Sequence, residues 1–173
     1  MTYKYINEPT VELRMEQPYV GIPIQVTLKE WAKTTVLLPE IYDWLNAKGI
    51  EPTGEPFYRY WCIGNDDTEY SLEVGVPIER MAAGNDRVIA SFIPGGSYAT
   101  AVHHGHPDQL EHSLKELEEW TAKEELEIDK RWEEDEVFWN GRFEFYLTDP
   151  ELEPDLFKWK IEIAFLLLRD DAA

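Results

Sequence analysis

Two short stretches of the sequence decide the fold: Phe57-Tyr58-Arg59-Tyr60 and Phe143-Glu144-Phe145-Tyr146. They share the pattern Phe-x-x-Tyr, and an alternating segment follows each of them. That segment contains Glu73-Val74-Gly75 in the first case and Glu162-Ile163-Ala164 in the second. Because side chains alternate between the two faces of a strand, each copy places a carboxylate and a very small side chain on one face. The sequence therefore predicts an internal repeat.

Working outward from these strands, each copy predicts the order β-α-β-β. In the first copy, a strand-like segment at 11–21 precedes a helix that Thr27 and Glu30 open as a capping box and Gly49 ends. In the second copy, strand-like segments at 88–102 precede a helix that begins near Pro107. We expect an α+β fold of tandem β-α-β-β modules with pseudo-twofold symmetry, antiparallel sheets, helices on one face and a central pocket.

The expected boundaries are those of one domain over residues 1–173, with pseudo-repeats at about 5–80 and 86–169. Asn140-Gly141 lies between two β-like runs and predicts a tight hairpin turn. The acidic run 111–136 is interpreted as a solvated helix face and loop.

The alternation of side chains also predicts a site. The apolar rows of the two final strands should face the helices, with Glu73 and Glu162 on the other side. Small residues beside these acids should leave free volume. If the two sheets pair about the pseudo-twofold axis, the partner strands add further acid and ring side chains. The expected ligand-binding residues are Glu144, Glu162, Tyr146, Glu73, Tyr58 and Tyr60.

An acidic, ring-lined cavity suits a cation with an apolar body, because carboxylates supply charge and aromatic faces add cation–π attraction. The alternative is that Glu73 and Glu162 face water on a half-exposed sheet. The tyrosines also have an ordinary explanation, as strand residues with good β propensity.

Composition limits the partners. The chain has 35 acidic and 16 basic residues, a net charge of −19, seven Trp and nine Tyr. This charge argues against binding to nucleic acid or to anionic membranes and favours cationic partners. The one cysteine, Cys62, is expected to be a buried small hydrophobe. The N-terminus lacks a signal-peptide pattern and the longest apolar run, 163–168, is too short to span a bilayer, so a cytoplasmic location is expected.

The tract His103-His104-Gly105-His106 has the composition of a metal site. Two of its histidines are adjacent, however, and no Cys, Asp or Glu completes a ligand set nearby. We expect a loop in which His106 caps the following helix, and neither a metal nor another cofactor. The roles of His103, His104 and His106 remain open at this point.

Taken in order, several segments resemble one known family. They are Glu12-Leu13-Arg14 with Pro18-Tyr19, Val76-Pro77-Ile78, Ile93-Pro94-Gly95-Gly96-Ser97-Tyr98-Ala99, His103 with Gly105, Glu144-x-Tyr146-Leu147-Thr148-Asp149-Pro150 and the strand that carries Glu162. Over about residues 5–169 the chain resembles the GyrI-like small-molecule-binding domain, also called the AraC-type effector-binding domain, found in multidrug-responsive regulators and in standalone proteins.

The resemblance implies a tandem β-α-β-β fold with a central pocket for hydrophobic, often cationic compounds. It assigns the family's pocket glutamates to Glu144 and Glu162 and its pocket tyrosine to Tyr146, whereas Glu73, Tyr58 and Tyr60 come from the symmetry argument alone. The family's usual Glu-Ile-Tyr-Ile-Pro ending is Glu162-Ile163-Ala164-Phe165-Leu166 here, which should widen the pocket and change ligand choice. Regulators of the family carry a DNA-binding domain ahead of this one, so a direct transcription factor is not expected.

Three functions follow as hypotheses. The first is a standalone protein that senses or sequesters a hydrophobic, cationic aromatic compound. The second is a hydrolase of reactive electrophilic small molecules, in which Glu144 and Glu162 serve as the catalytic pair. The third is an acidic inhibitor of a DNA-handling enzyme. Monomer and dimer are both compatible with the sequence.

Overall fold

A computed structural model describes residues 2–169 of the chain. The helices are α1 (Ala32–Thr35), α2 (Leu37–Lys48) and α3 (Leu110–Lys123), and short 3₁₀ turns lie at Leu28–Glu30, Pro107–Gln109 and Leu156–Lys158. The strands are β1 (Thr10–Arg14), β2 (Gln17–Val26), β3 (Phe57–Cys62), β4 (Tyr70–Pro77), β5 (Ile89–Ile93), β6 (Gly96–His104), β7 (Lys130–Glu133), β8 (Glu136–Trp139), β9 (Arg142–Tyr146) and β10 (Lys160–Leu166).

The strands form one antiparallel sheet whose order is β1-β6-β10-β9-β3-β4-β2-β5. The β7–β8 hairpin is attached to it through the pair Cys62–Phe138 on β3. The central neighbours, β3 and β9, come from different halves of the chain. The order β3-β4-β2 in the first repeat matches β9-β10-β6 in the second, and the edge strands are exchanged, since β1 pairs with β6 and β5 pairs with β2. The predicted α+β class with tandem β-α-β-β units is confirmed.

The strand register supports the sequence repeat residue by residue. Phe57 pairs with Gly75 between β3 and β4, as Phe143 pairs with Ala164 between β9 and β10. Tyr58 pairs with Glu144 where β3 meets β9, and the pairs on either side of it are related by the same pseudo-twofold operation. Tyr58 and Glu144 therefore lie on the pseudo-twofold axis.

The helices cover one face of the sheet. On α2, Leu37, Ile41 and Leu45 pack in one cluster with Val20, Ile22, Val74 and Val76, and on α3, Leu110 and Leu117 pack in another with Ala99, Ala101, Ile161, Ile163 and Phe165. Burying each such side chain stabilises the fold by about 1.5–3 kcal/mol. These rows are the ones that the alternation predicted to face the helices.

The helix ends also follow the sequence. Thr27 and Glu30 form the expected capping box, and Gly49 ends α2 in the left-handed region at φ 68°. The side chain of His106 accepts a hydrogen bond from the Asp108 amide and so caps the turn that leads into α3. Cys62 is buried, as expected.

The opposite face of the sheet carries a core of its own, which is largely aromatic. It contains Tyr19, Phe57, Ile93, Tyr98, Phe143, Ala164 and Leu166, with Phe145 packed against them. The expectation that Gly75 and Ala164 leave free volume is wrong, because Phe57 and Phe143 occupy that space from the neighbouring strands.

Asn140-Gly141 does not form the expected hairpin turn. β8 and β9 do not pair with each other in the described structure; both pair with β3. Asn140 is instead held by Asp129, through backbone N–H to O at 3.1 Å and Nδ2 to Oδ1 at 2.8 Å. The hairpin lies earlier, between β7 and β8, with Glu134 in the left-handed region at φ 57°. Pairing with neighbouring strands outweighs the local turn propensity of Asn140-Gly141. The acidic run 111–136, expected to be a helix face and loop, also contains strand β7.

In the described part of the chain, none of the helices has the length and apolar character needed to cross a bilayer.

Candidate functional site around Glu144

Glu144 lies near the middle of β9, on the side of the sheet that the helices cover. The main contacts of α2 are with β2 and β4, and those of α3 are with β6. The helices are therefore centred on strands that lie outside the central pair, β3 and β9. The central side chains on this face are Tyr58 and Tyr60 from β3 with Glu144 and Tyr146 from β9, and we call these four the tyrosine–glutamate cluster.

The carboxylate of Glu144 is buried and accepts two hydrogen bonds on one of its oxygens. The hydroxyls of Tyr60 and Tyr146 both donate to Oε1, at 2.9 Å and 3.0 Å. Within residues 2–169, no donor hydrogen bonds to Oε2. Glu144 is only 4% exposed, but Oε2 is not one of the fully buried, unpartnered side-chain atoms of the described residues. This oxygen therefore keeps a small contact with solvent at the edge of the cluster.

Burial dominates the electrostatics of the cluster. Desolvation raises the pKa of Glu144, while the hydrogen bond from Tyr60, the charge of Arg142 and the hydrogen bond from Tyr146 oppose this shift. Desolvation also raises the pKa values of Tyr60 and Tyr146 well above that of an ordinary tyrosine, and the nearby Glu144 carboxylate adds to the effect. The two phenols therefore stay protonated and act as hydrogen-bond donors.

Aromatic rings surround the carboxylate. The rings of Tyr58 and Tyr146 are 5.3 Å apart, and Trp31 lies nearly parallel to Tyr60, at 6.3 Å and 11°. Tyr70 meets Trp31 edge to face at 5.4 Å. The hydroxyl of Tyr58 lies 2.9 Å from Oγ1 of Thr34 on α1. The side chains of the cluster therefore fill the position of the expected central pocket, and an open acidic pocket there stays a prediction.

Glu73 does not join this cluster. It pairs with Arg59 across the β3–β4 ladder and lies on the opposite face of the sheet, where it is 5% exposed. The Tyr19 hydroxyl donates to its Oε1 at 2.5 Å, and the Trp61 indole N–H donates to its Oε2. Arg59 donates in turn to the Tyr19 hydroxyl at 3.0 Å. These four residues form the Glu73 network, in which the carboxylate is satisfied by the protein itself.

Glu162 also lies on the opposite face. It pairs with Phe145, whereas its neighbour Ile163 pairs with Glu144. Its carboxylate contacts Arg14 at 2.8 Å, and the side chain is 23% exposed. The expectation that Glu73 and Glu162 converge with the other four candidates is therefore wrong. Glu144 and Glu162 cannot act as a catalytic pair on one substrate atom, because the sheet separates them.

The cause of this error is the register between strands. The assignment of side chains to the two faces of each strand was correct. Alternation does not tell, however, which residue of one strand lies beside which residue of the next. Because Phe57 pairs with Gly75, Tyr58 shares a face with Val74 and not with Glu73. The same step of one residue separates Glu144 from Glu162.

Three residues near the cluster were not predicted as site residues. In the sequence, Trp31 recurs at helical spacing and Tyr70 begins a strand-like run, and neither pattern indicates a site. Tyr70 has the same parity as Leu72 and Val74, so it could have been placed on the helix side with Tyr58 once the register was known. Arg142 lies two residues before Glu144 and shares its face. It carried no signal beyond that spacing.

The sequence model of the GyrI-like small molecule binding domain family matches residues 7–166. The chain belongs to this family. Members of the GyrI-like family are defined by a small-molecule-binding domain, and the match covers both repeats and the whole tyrosine–glutamate cluster. The comparison of the sequence with curated proteins finds no match.

Solved structures share the fold. The EcmrR C-terminal domain is 17% identical with a TM-score of 0.74, and the alignment covers 94% of this chain and 98% of that domain. In the EcmrR–DNA complex the TM-score is 0.76 and the identity 17%, but this chain spans only 58% of the length of that protein.

Two further structures have the same GyrI-like fold at lower similarity. A structure described as a hydrolase from Listeria innocua is 14% identical with a TM-score of 0.64, covering 93% of this chain and 92% of that one. SAV2435 bound to tetraphenylphosphonium is 12% identical with a TM-score of 0.55, covering 94% of both chains. At these identities the likeness concerns the fold alone.

Proposed function

We propose that this GyrI-like domain senses or sequesters a hydrophobic organic cation, which binds Oε2 of Glu144 among the rings of the tyrosine–glutamate cluster. The observation that carries the proposal is a buried carboxylate with one oxygen satisfied by two phenols and the other without a donor among residues 2–169. A cation is the complement of that second oxygen, and the flat rings accept its apolar body.

Energetics favours a cationic ligand over a neutral one. Burial penalises the ionised form of Glu144, as the direction of its pKa shift indicates. A cation within the cluster offsets this penalty by pairing with the carboxylate in a medium of low polarity. Hydrogen bonds and ion contacts to such charged groups contribute about 1.5–3 kcal/mol each.

Entry of the ligand requires the cluster to open. Glu144 and Tyr60 are 4% and 5% exposed, whereas Tyr58, Tyr146 and Trp31 are half-buried. Rotation of one or more of these half-buried rings would uncover the carboxylate without breaking the sheet. Side-chain rearrangements of this size are common on binding.

The experiment compares two ions of nearly the same shape and opposite charge. Tetraphenylphosphonium is present in the SAV2435 structure, and tetraphenylborate is its anionic counterpart. By thermal shift and calorimetry, we expect the phosphonium to bind and to raise the melting temperature, because it binds only the folded state. The borate should do neither. Equal binding of both ions would show that the site does not select for positive charge.

Matched variants locate the site. Glu144→Gln should weaken phosphonium binding by about 1–3 kcal/mol, since the substitution keeps the shape and removes the charge. Glu162→Gln is the control, because it removes an equivalent carboxylate from the other face. If Glu162→Gln weakens binding and Glu144→Gln does not, the proposed site is wrong.

The hydrolase alternative would have to use Glu144 without Glu162. A carboxyl group whose pKa is raised by burial is suited to donate a proton to a leaving group. Turnover of a reactive epoxide or aziridine by the purified protein, abolished in Glu144→Gln, would favour this function. Binding of cations without turnover would favour the sensor.

A further inference from the structure

Arg142 is a second charged residue beside the proposed ligand carboxylate. It lies two residues before Glu144 on β9, so both side chains project from the same face of the sheet. Positions i and i+2 of a strand are about 7 Å apart. Among residues 2–169, none of the salt bridges includes Arg142, so no ion pair joins it to Glu144.

The guanidinium of Arg142, a half-buried residue, lies against aromatic rings, and its Nε lacks an acceptor among residues 2–169. Its Cζ lies 4.5 Å from the ring centre of Trp139 and 5.2 Å from that of Phe165. Its Nε is buried and has no hydrogen-bond partner among the described residues. The indole Nε1 of Trp139, a residue only 3% exposed, is likewise buried without a partner. Two unsatisfied buried donors therefore belong to side chains that stack on one another.

Neighbouring acids do not supply the missing acceptor. The charges of Glu144 and Glu118 both act on the pKa of Arg142, which burial lowers. Glu118 is bound instead to Lys130 at 3.2 Å, and Glu144 accepts from the two tyrosines. A buried polar group without a partner costs free energy that a suitably placed ligand oxygen would recover.

We infer that the ligand is zwitterionic: it carries a carboxylate that binds Arg142 in addition to the cationic centre that binds Glu144. This inference rests on the proposed function and specifies its ligand class. Arg142 is then the residue that determines specificity, since a guanidinium binds a carboxylate through two parallel hydrogen bonds. The two protein charges select for an aromatic body whose own charges are of opposite sign and a few ångströms apart.

A pair of dyes tests the inference directly. Rhodamine 110 has a cationic xanthene and a free carboxylate, and rhodamine 123 is its methyl ester, so one methyl group removes the negative charge while the rest of the dye is the same. We expect wild-type protein to bind rhodamine 110 more tightly, measured by fluorescence anisotropy. Arg142→Gln should lower the affinity for rhodamine 110 about 10- to 100-fold, the equivalent of one charge-assisted contact. Its affinity for rhodamine 123 should stay unchanged or increase.

Two further variants serve as controls. Arg142→Lys keeps the positive charge and should retain part of the preference for rhodamine 110. Arg131→Gln removes an exposed arginine that pairs with Glu133, and it should leave both affinities unchanged. Urea unfolding of each variant establishes that the fold is intact before binding is compared.

The outcomes separate this inference from the proposed function. If Glu144→Gln weakens both dyes but Arg142→Gln leaves their affinity ratio unchanged, the zwitterion inference is wrong and the cation site stands. If Glu144→Gln affects neither dye, or wild-type protein binds neither, the cation site fails and the inference fails with it.

Discussion

The ring of Phe57 occupies the space above Gly75. A Cβ added at residue 75 would lie 2.6 Å from Cζ of Phe57 and 3.1 Å from Cδ2 of Tyr19. In the second repeat, Phe143 lies across from Ala164 in the same register. The small residue two positions after each strand glutamate thus accommodates a neighbouring ring, and the aromatic core on this face depends on it.

Gly75→Ala should destabilise the protein by about 1–3 kcal/mol, the usual cost of overpacking a filled core. Urea unfolding monitored by tryptophan fluorescence measures this. Gly54→Ala is the matched control, because its Cβ would meet only the ring of Pro77 at 3.4 Å, and it should be neutral or slightly stabilising. Equal stabilities of the two variants would contradict the close packing at Gly75.

Binding of a cation should depend on pH through Glu144. Its pKa is raised, mainly by desolvation, so the free protein takes up the proton above the ordinary glutamate value of about 4.3. As pH falls through that raised pKa, the affinity for tetraphenylphosphonium should fall to the level of Glu144→Gln. The phosphonium charge is permanent, so only the protein titrates. A midpoint at or below the ordinary value, by calorimetry, would contradict the assignment.

The Glu73 network should stabilise the fold without contributing to binding. Glu73→Ala leaves the Tyr19 hydroxyl and the Trp61 indole without their shared acceptor. It also removes the carboxylate that pairs across the ladder with Arg59, which is only 4% exposed. Removal of one member of such a buried charged network costs about 3–5 kcal/mol.

Glu162→Ala is the control within the same fold. The ion pair of Glu162 with Arg14 is partly exposed, so its loss should cost at most about 1 kcal/mol. Denaturant unfolding measures the loss of unfolding free energy in each variant. Similar losses in Glu73→Ala and Glu162→Ala would contradict a special stabilising role of the Glu73 network. Phosphonium affinity should be unchanged in both.

Stability should fall on acidification because of His103. Its ring is buried, with Nε2 donating to the His106 carbonyl at 3.1 Å and Nδ1 accepting from the Ser113 hydroxyl at 2.6 Å. Desolvation lowers its pKa below 6.5. Below pH 6.5 the unfolded chain therefore binds more protons than the folded protein, and stability is lost toward the lowered pKa.

The measurement is the difference in unfolding free energy between wild type and His103→Gln from pH 7 to pH 5. This difference should shrink as pH falls, by up to about 1.4 kcal/mol per pH unit. Other groups titrate in both proteins and cancel. A difference that does not change with pH would show that His103 is not the sensitive group.

The sequence alone predicts the repeat, the α+β class and the helix caps, because these depend on spacing within one segment. The face that each strand row occupies was also correct within each strand. The predicted set of site residues was wrong, since it depends on which residue of β3 pairs with which residue of β4. That register is set by the fit of Phe57 against Gly75, a steric match between distant segments that periodicity does not contain.

The prediction of a hairpin at Asn140-Gly141 is wrong for a related reason. An Asn-Gly pair favours a tight turn locally, but here β8 and β9 run past it along one partner strand, β3. Contacts of Asn140 with Asp129 and of Arg59 with the Asn140 carbonyl hold this arrangement. The contact between Arg59 and Asn140 joins residues 81 positions apart, which a local turn signal does not contain.

The pair Tyr58–Glu144 has a consequence for how a guest molecule can be held. Two identical residues on a twofold axis would offer the same surroundings in two directions, and a ligand could bind in either of two equivalent poses. Here one repeat contributes a phenol and the other a carboxylate at that point, so the degeneracy is removed. A guest with one charged end has a single preferred orientation, even though the scaffold around it is nearly symmetrical.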